Sequence, residues 1–295
     1  MLRRTLPVLT LLFFVACSKT DSAKSPELTN QQKAEIAKHA DQLVNSINSF
    51  DFSVINETWS NEAFKLRFTN LTSAQKSTFD HIFKKDIERT IKVGNLAIIH
   101  TVNQNQGMAE LFDLTHFGSY SEVTLLLKFE SWFNFFKYRI EHRKGKSVIC
   151  DYYQFTDDLW YSEKMLNALK MNSKYNAFSG ERHQANQAIN AYQLYLSDGD
   201  SVSALMSLYD VPSTHESGNW LSLKKLNLAA NINDSIYAEV LTEEHSTNNS
   251  LYIKYLYSYY TQDSVNLDEI YKLLASELGN SATLDSLVNA GSFWN

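Results

Sequence analysis

Phe133-Asn134-Phe135-Phe136-Lys137-Tyr138-Arg139-Ile140-Glu141-His142 decides the fold, together with Ser147-Val148-Ile149-Cys150-Asp151-Tyr152-Tyr153-Gln154-Phe155. Phe136, Tyr138 and Ile140 alternate with Lys137, Arg139 and Glu141, the period of two expected for a strand with one buried face. Lys144-Gly145-Lys146 between the two runs reads as a hairpin turn. Working toward the N-terminus, Asn95 to Val102, Met108 to Phe117 and Glu122 to Glu130 are also rich in β-branched and aromatic residues. Short turns separate them, so five strands are expected before residue 156.

Helical signals precede the strands. Thr29-Asn30-Gln31-Gln32 fits a capping box, T-x-x-Q. Ile36, Ala40, Leu43, Val44 and Ile47 then recur at helical spacing. Asp51 to Ile55 opens a second short helix, with Trp59 and Phe64 behind it. Thr72 or Ser73 caps a third, whose stripe is Phe79, Ile82, Phe83, Ile87 and Ile91, and Gly94 ends it. Helices followed by a run of antiparallel strands predict an α+β unit over 27–156, with the helices packed on a curved sheet.

From Asp157 the strand signal stops. Short helices are expected near 158–176, 182–197, 200–210, 217–231, 234–246, 249–261, 266–278 and 282–293. Asp200-Ser201 and Asp234-Ser235 stand 34 residues apart and each opens a helix, a period that suggests an all-α array of helical hairpins over 157–295. An irregular helical bundle is the alternative. The helix from Leu251 carries Leu251, Tyr252, Tyr255, Leu256 and Tyr259 on one side and Ile253, Tyr257 and Tyr260 on the other. A helix apolar on two sides is expected to be sandwiched between neighbours.

The chain has 295 residues and a formal net charge of −6. A pI near 5.8 and no long basic run argue against nucleic-acid binding. Of the two cysteines, Cys150 sits among aliphatic and aromatic neighbours and reads as a buried small hydrophobe. No G-x-S-x-G, H-E-x-x-H, phosphate loop, G-x-G-x-x-G or paired-cysteine motif occurs. The eight histidines are scattered, so no metal site, cofactor or catalytic residue is assigned. Glu243-Glu244-His245 reads as a solvated helix end rather than a metal site.

The first residues carry a location signal. Arg3 and Arg4 precede the apolar run Leu6 to Ala16, which is too short to span a bilayer, and Cys17 follows small Ala16. The segment resembles a bacterial lipoprotein signal, with Phe14 in the place of the usual Leu. That resemblance implies a signal peptide over 1–16, lipidation at Cys17, a polar tether over 17–26 and a mature chain outside the cytoplasm. The mature part then has 25 basic and 33 acidic groups, a net −8. Ser18 after the cysteine resembles an outer-membrane sorting pattern.

The opening helix, Phe50-Asp51-Phe52, Trp59 and Phe64, and the run Val148 to Tyr153 followed by Ser162, resemble bacterial proteins that join an NTF2-like (SnoaL-like) cone to a tetratricopeptide-like tail. Asp157-Asp158 stands where those proteins have Gly-Glu. Such cones host isomerases, dehydratases and non-enzymes, so fold does not settle function. The resemblance makes the cone pocket a candidate site. Asp151, placed between Ile149 and Tyr153 and hence on their face, would lie near His100, His116 and Tyr138. The reading preferred for Asp151, however, is a structural acceptor capping a helix of the tail, since an isolated polar residue at a domain joint is usually a tie. Two functions follow. In one, a lipid-anchored, non-catalytic envelope protein binds a protein or peptide through the tail, with Trp220, Tyr257 and Tyr260 as candidate surface. In the other, the cone pocket binds or transforms a small apolar ligand.

Overall fold

The computed structural model describes residues 27–85, 98–129, 133–175, 179–212 and 219–278. The readings that fall on 1–26, Ile87 to Gly94 and 282–293 lie outside the described residues. Helix α1 (Asn30–Asn48) starts at the expected box: Thr29 Oγ1 accepts from Gln32 N, and Gln32 Oε1 accepts from Thr29 N. α2 (Ser53–Thr58), α3 (Asn61–Lys65) and α4 (Ser73–Lys85) follow. Thr72 and Gln75 exchange the same pair of bonds at the start of α4.

The sheet is an antiparallel meander of β1 (Met108–Phe117), β2 (Tyr120–Lys128), β3 (Phe133–Arg143), β4 (Lys146–Gln154) and β5 (Leu159–Trp160), in that spatial order. Lys144 (φ 51°) and Gly145 (φ 78°) both take the left-handed backbone that a two-residue hairpin needs. The expected strand over Asn95 to Val102 is corrected: 98–104 is helical. Ile98, Ile99 and Val102 share one buried helical face there, while His100 is exposed. Burial of that stripe overrides the β-propensity of its branched residues.

Each sheet face is covered by a different set of helices. On one, Val123, Leu125, Phe136, Tyr138, Ile140 and Ile149 pack on Ile36, Leu43 and Ile47 of α1 and on Ile99 and Val102. On the other, Phe112, Phe133, Phe135, Tyr153 and Phe155 pack on later helices. A bulge sets Cys150 and Asp151 against Arg139, and such an insertion breaks the alternation of faces. Ile149 and Tyr152 accordingly pack into the first cluster and Tyr153 into the second. The expectation that Asp151 shares a face with both Ile149 and Tyr153 is therefore corrected: they lie on opposite faces, and Asp151 points with Arg139.

The described residues that follow form helices α5 (Tyr161–Tyr175), α6 (Ser179–Ser197), α7 (Ser201–Tyr209), α8 (Trp220–Ile232), α9 (Asp234–Thr247), α10 (Leu251–Tyr260) and α11 (Ser264–Leu278). From α6 onward each helix packs on the next in sequence. α10 has a core on both sides. Tyr255 meets Phe133 of the sheet at 5.2 Å, whereas Ile253 belongs to the cluster formed with α7, α8 and α9. The chain is thus α+β, a helix-covered antiparallel sheet followed by helices. Among the described residues no helix is long and apolar enough to cross a membrane.

Candidate binding groove in the helical tail

The four residues expected to share a pocket do not converge. His100 is exposed on the 98–104 helix. His116 is half-buried on β1, 2.7 Å from Ser121 Oγ, and burial with the nearby Lys33 ammonium lowers its pKa. Tyr138 is fully buried in the α1-facing core, where Ile36, Leu43, Phe136 and Ile140 fill the space around it. Among the described residues its hydroxyl has no hydrogen-bond partner, and burial pushes its pKa up. A buried hydroxyl without a partner costs about 1–3 kcal/mol. Tyr138→Phe is therefore expected to stabilise the fold by about 1 kcal/mol in urea unfolding. A loss of stability instead would show that the hydroxyl is bonded.

Asp151 lies behind the other face, in a structural joint. Its Oδ2 accepts from Ser162 Oγ at 2.5 Å, and its Oδ1 accepts from Tyr152 N at 3.0 Å and Ser162 N at 3.2 Å. The carboxylate so ties β4 to the first turn of α5. Burial raises its pKa to about 6, against the lowering effect of the Ser162 bonds and of Arg139 and Arg67. Arg139 pairs with Glu122 at 2.7 Å, with its guanidinium 4.7 Å from the Tyr120 ring and 4.2 Å from the Trp160 ring. Cys150 is buried as expected, and its thiol pKa is pushed up to about 12, chiefly by desolvation. A thiol with so high a pKa is a poor nucleophile at neutral pH.

Of the three surface candidates, two are packed. Trp220 and Tyr257 lie against the α7–α9 cluster, and Tyr257 stacks on His245 at 3.9 Å. Tyr260 is exposed and lines a groove of about 640 Å³ where α10 turns into α11. Tyr259 and Tyr260 end α10, and Gln262 reverses the chain in the left-handed region (φ 56°). Asp263 then opens α11, its carboxylate accepting from Asn266 N and Nδ2 at 3.1 and 2.7 Å. Buried Leu267 and Tyr271, one helical turn apart, form the groove's base, with exposed Asp268 beside them.

Tyr259 and Tyr260 are 41% and 44% exposed, yet both rings are braced. Tyr259 stacks near Tyr255 at 6.2 Å, and Tyr260 meets Tyr237 edge-on at 5.4 Å. Rigid, half-exposed aromatic rings around a concavity are the residue type that carries binding energy at interfaces. Of the tyrosines lining this groove, the sequence reading names Tyr260 as a candidate surface residue but not Tyr259 or Tyr271. The available signal was five tyrosines within Leu251–Tyr260, more than one amphipathic face can bury.

The charge is also unevenly spread. Residues 27–156 carry 15 acidic and 15 basic groups, whereas 157–295 carry 17 acidic and 8 basic. A smaller crevice of about 290 Å³ lies between sheet and tail, lined by Phe129, Asn134, Phe136, Gln154, Asn227 and Tyr252 among others. Among the described residues no three His, Cys, Asp or Glu side chains are grouped to hold a metal ion.

No protein-family model matches the chain, and no curated protein matches it. Among solved structures, a phospholipid-binding protein from Ralstonia solanacearum, in complex with a phospholipid, is similar over 50% of this chain and 89% of its own. The two share 12% identity at a TM-score of 0.27, a likeness too low to carry an argument about this chain.

Proposed function

We propose that this is a lipid-anchored, non-catalytic protein of the bacterial envelope that binds a peptide or protein partner through its helical tail. In this reading residues 1–16 are removed, Cys17 is acylated, and the mature chain stands off the outer membrane on the 17–26 tether. The sheet and its helices act as an NTF2-like cone, and the following helices as a tetratricopeptide-like array of hairpins. The observation that carries the reading is the tyrosine-lined groove at the α10–α11 turn. Its 640 Å³ falls within the usual range of ligand sites, about 300–1,000 Å³. The α1-covered face of the sheet, by contrast, is packed with Phe136, Tyr138 and Ile140.

Two measurements test it. Metabolic palmitate labelling is expected to mark the wild-type chain and to miss Cys17→Ser, which should leave the membrane fraction. The soluble form from Ser18 onward, immobilised against envelope extract, is expected to retain one partner that the Tyr259→Ala/Tyr260→Ala double variant loses. Retention unaffected by the double variant would place binding elsewhere. The small-ligand reading has its best support in the 290 Å³ crevice, where Asn134, Gln154 and Asn227 offer amides beside Phe129 and Phe136. Native mass spectrometry of the same protein separates the two: a co-purifying small apolar molecule, released by Phe129→Ala, favours the crevice.

A further inference from the structure

We infer that the groove at the α10–α11 turn binds a lysine- or arginine-bearing peptide segment, its cation held between the Tyr259 and Tyr260 rings and Asp268. The inference rests on the peptide-binding reading above and specifies the partner's chemistry. Three observations point the same way. First, the groove combines exposed tyrosine rings with one carboxylate. The face of an aromatic ring is electronegative and attracts a cation within about 6 Å of its centroid. Secondly, the carboxylate is accessible. Asp268 pairs with Lys272 one turn along α11, but both side chains are about two-thirds exposed or more, at 67% and 71%. Exposed i,i+4 pairs of this kind are weak and readily exchanged for an incoming cation.

Thirdly, the surroundings favour positive charge. The 157–295 part carries nine more acidic than basic groups, while 27–156 is balanced. Asp263, just before α11, and Glu269, next to Asp268 along it, add two further carboxylates to this stretch of chain. A field of one sign around a concavity concentrates and steers ligands of the other. The groove also far exceeds the volume of one lysine side chain, so it accommodates the apolar part of neighbouring residues over Leu267 as well as the cation.

The test uses the soluble form from Ser18 onward and fluorescence anisotropy. The probe is a short fluorescein-labelled peptide of alternating lysine and alanine. A matched probe carries acetyl-lysine at every lysine. The lysine peptide is expected to bind at least about tenfold more tightly than its acetylated form. Tyr259→Ala/Tyr260→Ala should weaken it about tenfold and Asp268→Asn about fivefold. Lys272→Gln, which frees Asp268, should tighten it about twofold. Asp198→Asn, an exposed acid on the loop before α7, changes net charge by the same amount and should leave binding unaltered.

Equal binding of the two peptides overturns the cation preference, while groove-dependent capture of an envelope partner would still uphold the peptide-binding reading. A loss in Asp198→Asn as large as in Asp268→Asn overturns the inference too, because it would make the attraction a general effect of charge. No binding of the lysine peptide to the wild-type chain rejects it outright.

Discussion

Lys225→Met is expected to cost about 3–5 kcal/mol of unfolding free energy. Lys225 on α8 and Glu244 on α9 are 8% and 4% exposed, with Nζ and Oε1 2.9 Å apart. The other carboxylate oxygen accepts from Ser222 Oγ at 2.5 Å, and the ammonium lies 4.3 Å from the Tyr209 ring. Removing the lysine leaves a buried carboxylate with one hydroxyl donor, whose desolvation nothing then offsets. The intact pair is another matter, because desolvation of two charges nearly cancels their attraction. The double variant Lys225→Met/Glu244→Leu should therefore recover most of the loss. Urea midpoints of the wild type, both single variants and the double variant give the coupling. Additive losses, with the double variant the least stable, would show that the two groups act independently.

That pair marks a boundary of what the sequence discloses. Glu243-Glu244-His245 reads as a solvated helix end, and one residue of it proves to be buried. The reason is tertiary: α8 supplies Lys225 and Ser222 at the height of Glu244, which no local pattern encodes. Asn248, one turn on, extends the same network, donating to Ser222 Oγ at 3.1 Å and to Asn219 Oδ1 at 3.2 Å. Asn219 in turn reaches the Thr156 carbonyl at the end of the sheet at 2.9 Å. A polar string thus fixes the helices to the sheet, and its residues look like loop and surface residues in the sequence.

Elements with a strong period were legible. β3 and β4 follow the alternation of Phe136 to Glu141, and α1 follows both its stripe and its box. The 98–104 helix was not, because Ile98, Ile99 and Val102 have strand-forming side chains and their apolar spacing becomes evident only with α1 beside them. The β4 bulge was not legible either. A single extra residue, Cys150, reverses the face of everything after it without changing composition. The same bulge dissolved the proposed pocket. Tyr138 went to the α1 side, Asp151 to the other, and the groove that remained lies on helices where tyrosines gave a compositional hint but no motif.

Asp151→Asn is expected to remove a pH-dependent destabilisation of about 3 kcal/mol. The folded-state pKa of Asp151 is about 6, against an ordinary value of 3.8, because burial outweighs the Ser162 hydrogen bonds and the two arginines. The sign follows from proton binding. Between roughly pH 4 and 6 the folded chain holds a proton on this carboxyl that the unfolded chain has released. The contribution of Asp151 is therefore most favourable below pH 4. It declines as pH rises toward 6 and stays at its low level above, since a charge is then kept out of water. An asparagine keeps the shape and can still accept from Ser162 N and Tyr152 N through its carbonyl oxygen, with no charge to desolvate. Relative to the wild type, Asp151→Asn should thus gain about 3 kcal/mol between pH 4 and pH 7. Urea unfolding of both proteins across that range checks it, and parallel curves would mean that Arg139 and Arg67 already compensate the carboxylate. Asp151→Ala, which lacks the charge too but removes the acceptor as well, should lie about 1–2 kcal/mol below Asp151→Asn at every pH, because the start of α5 is loosened. A constant offset between the Ala and Asn curves, both equally pH-dependent relative to the wild type, would separate the two roles: the acceptor ties sheet to tail, and the charge opposes it.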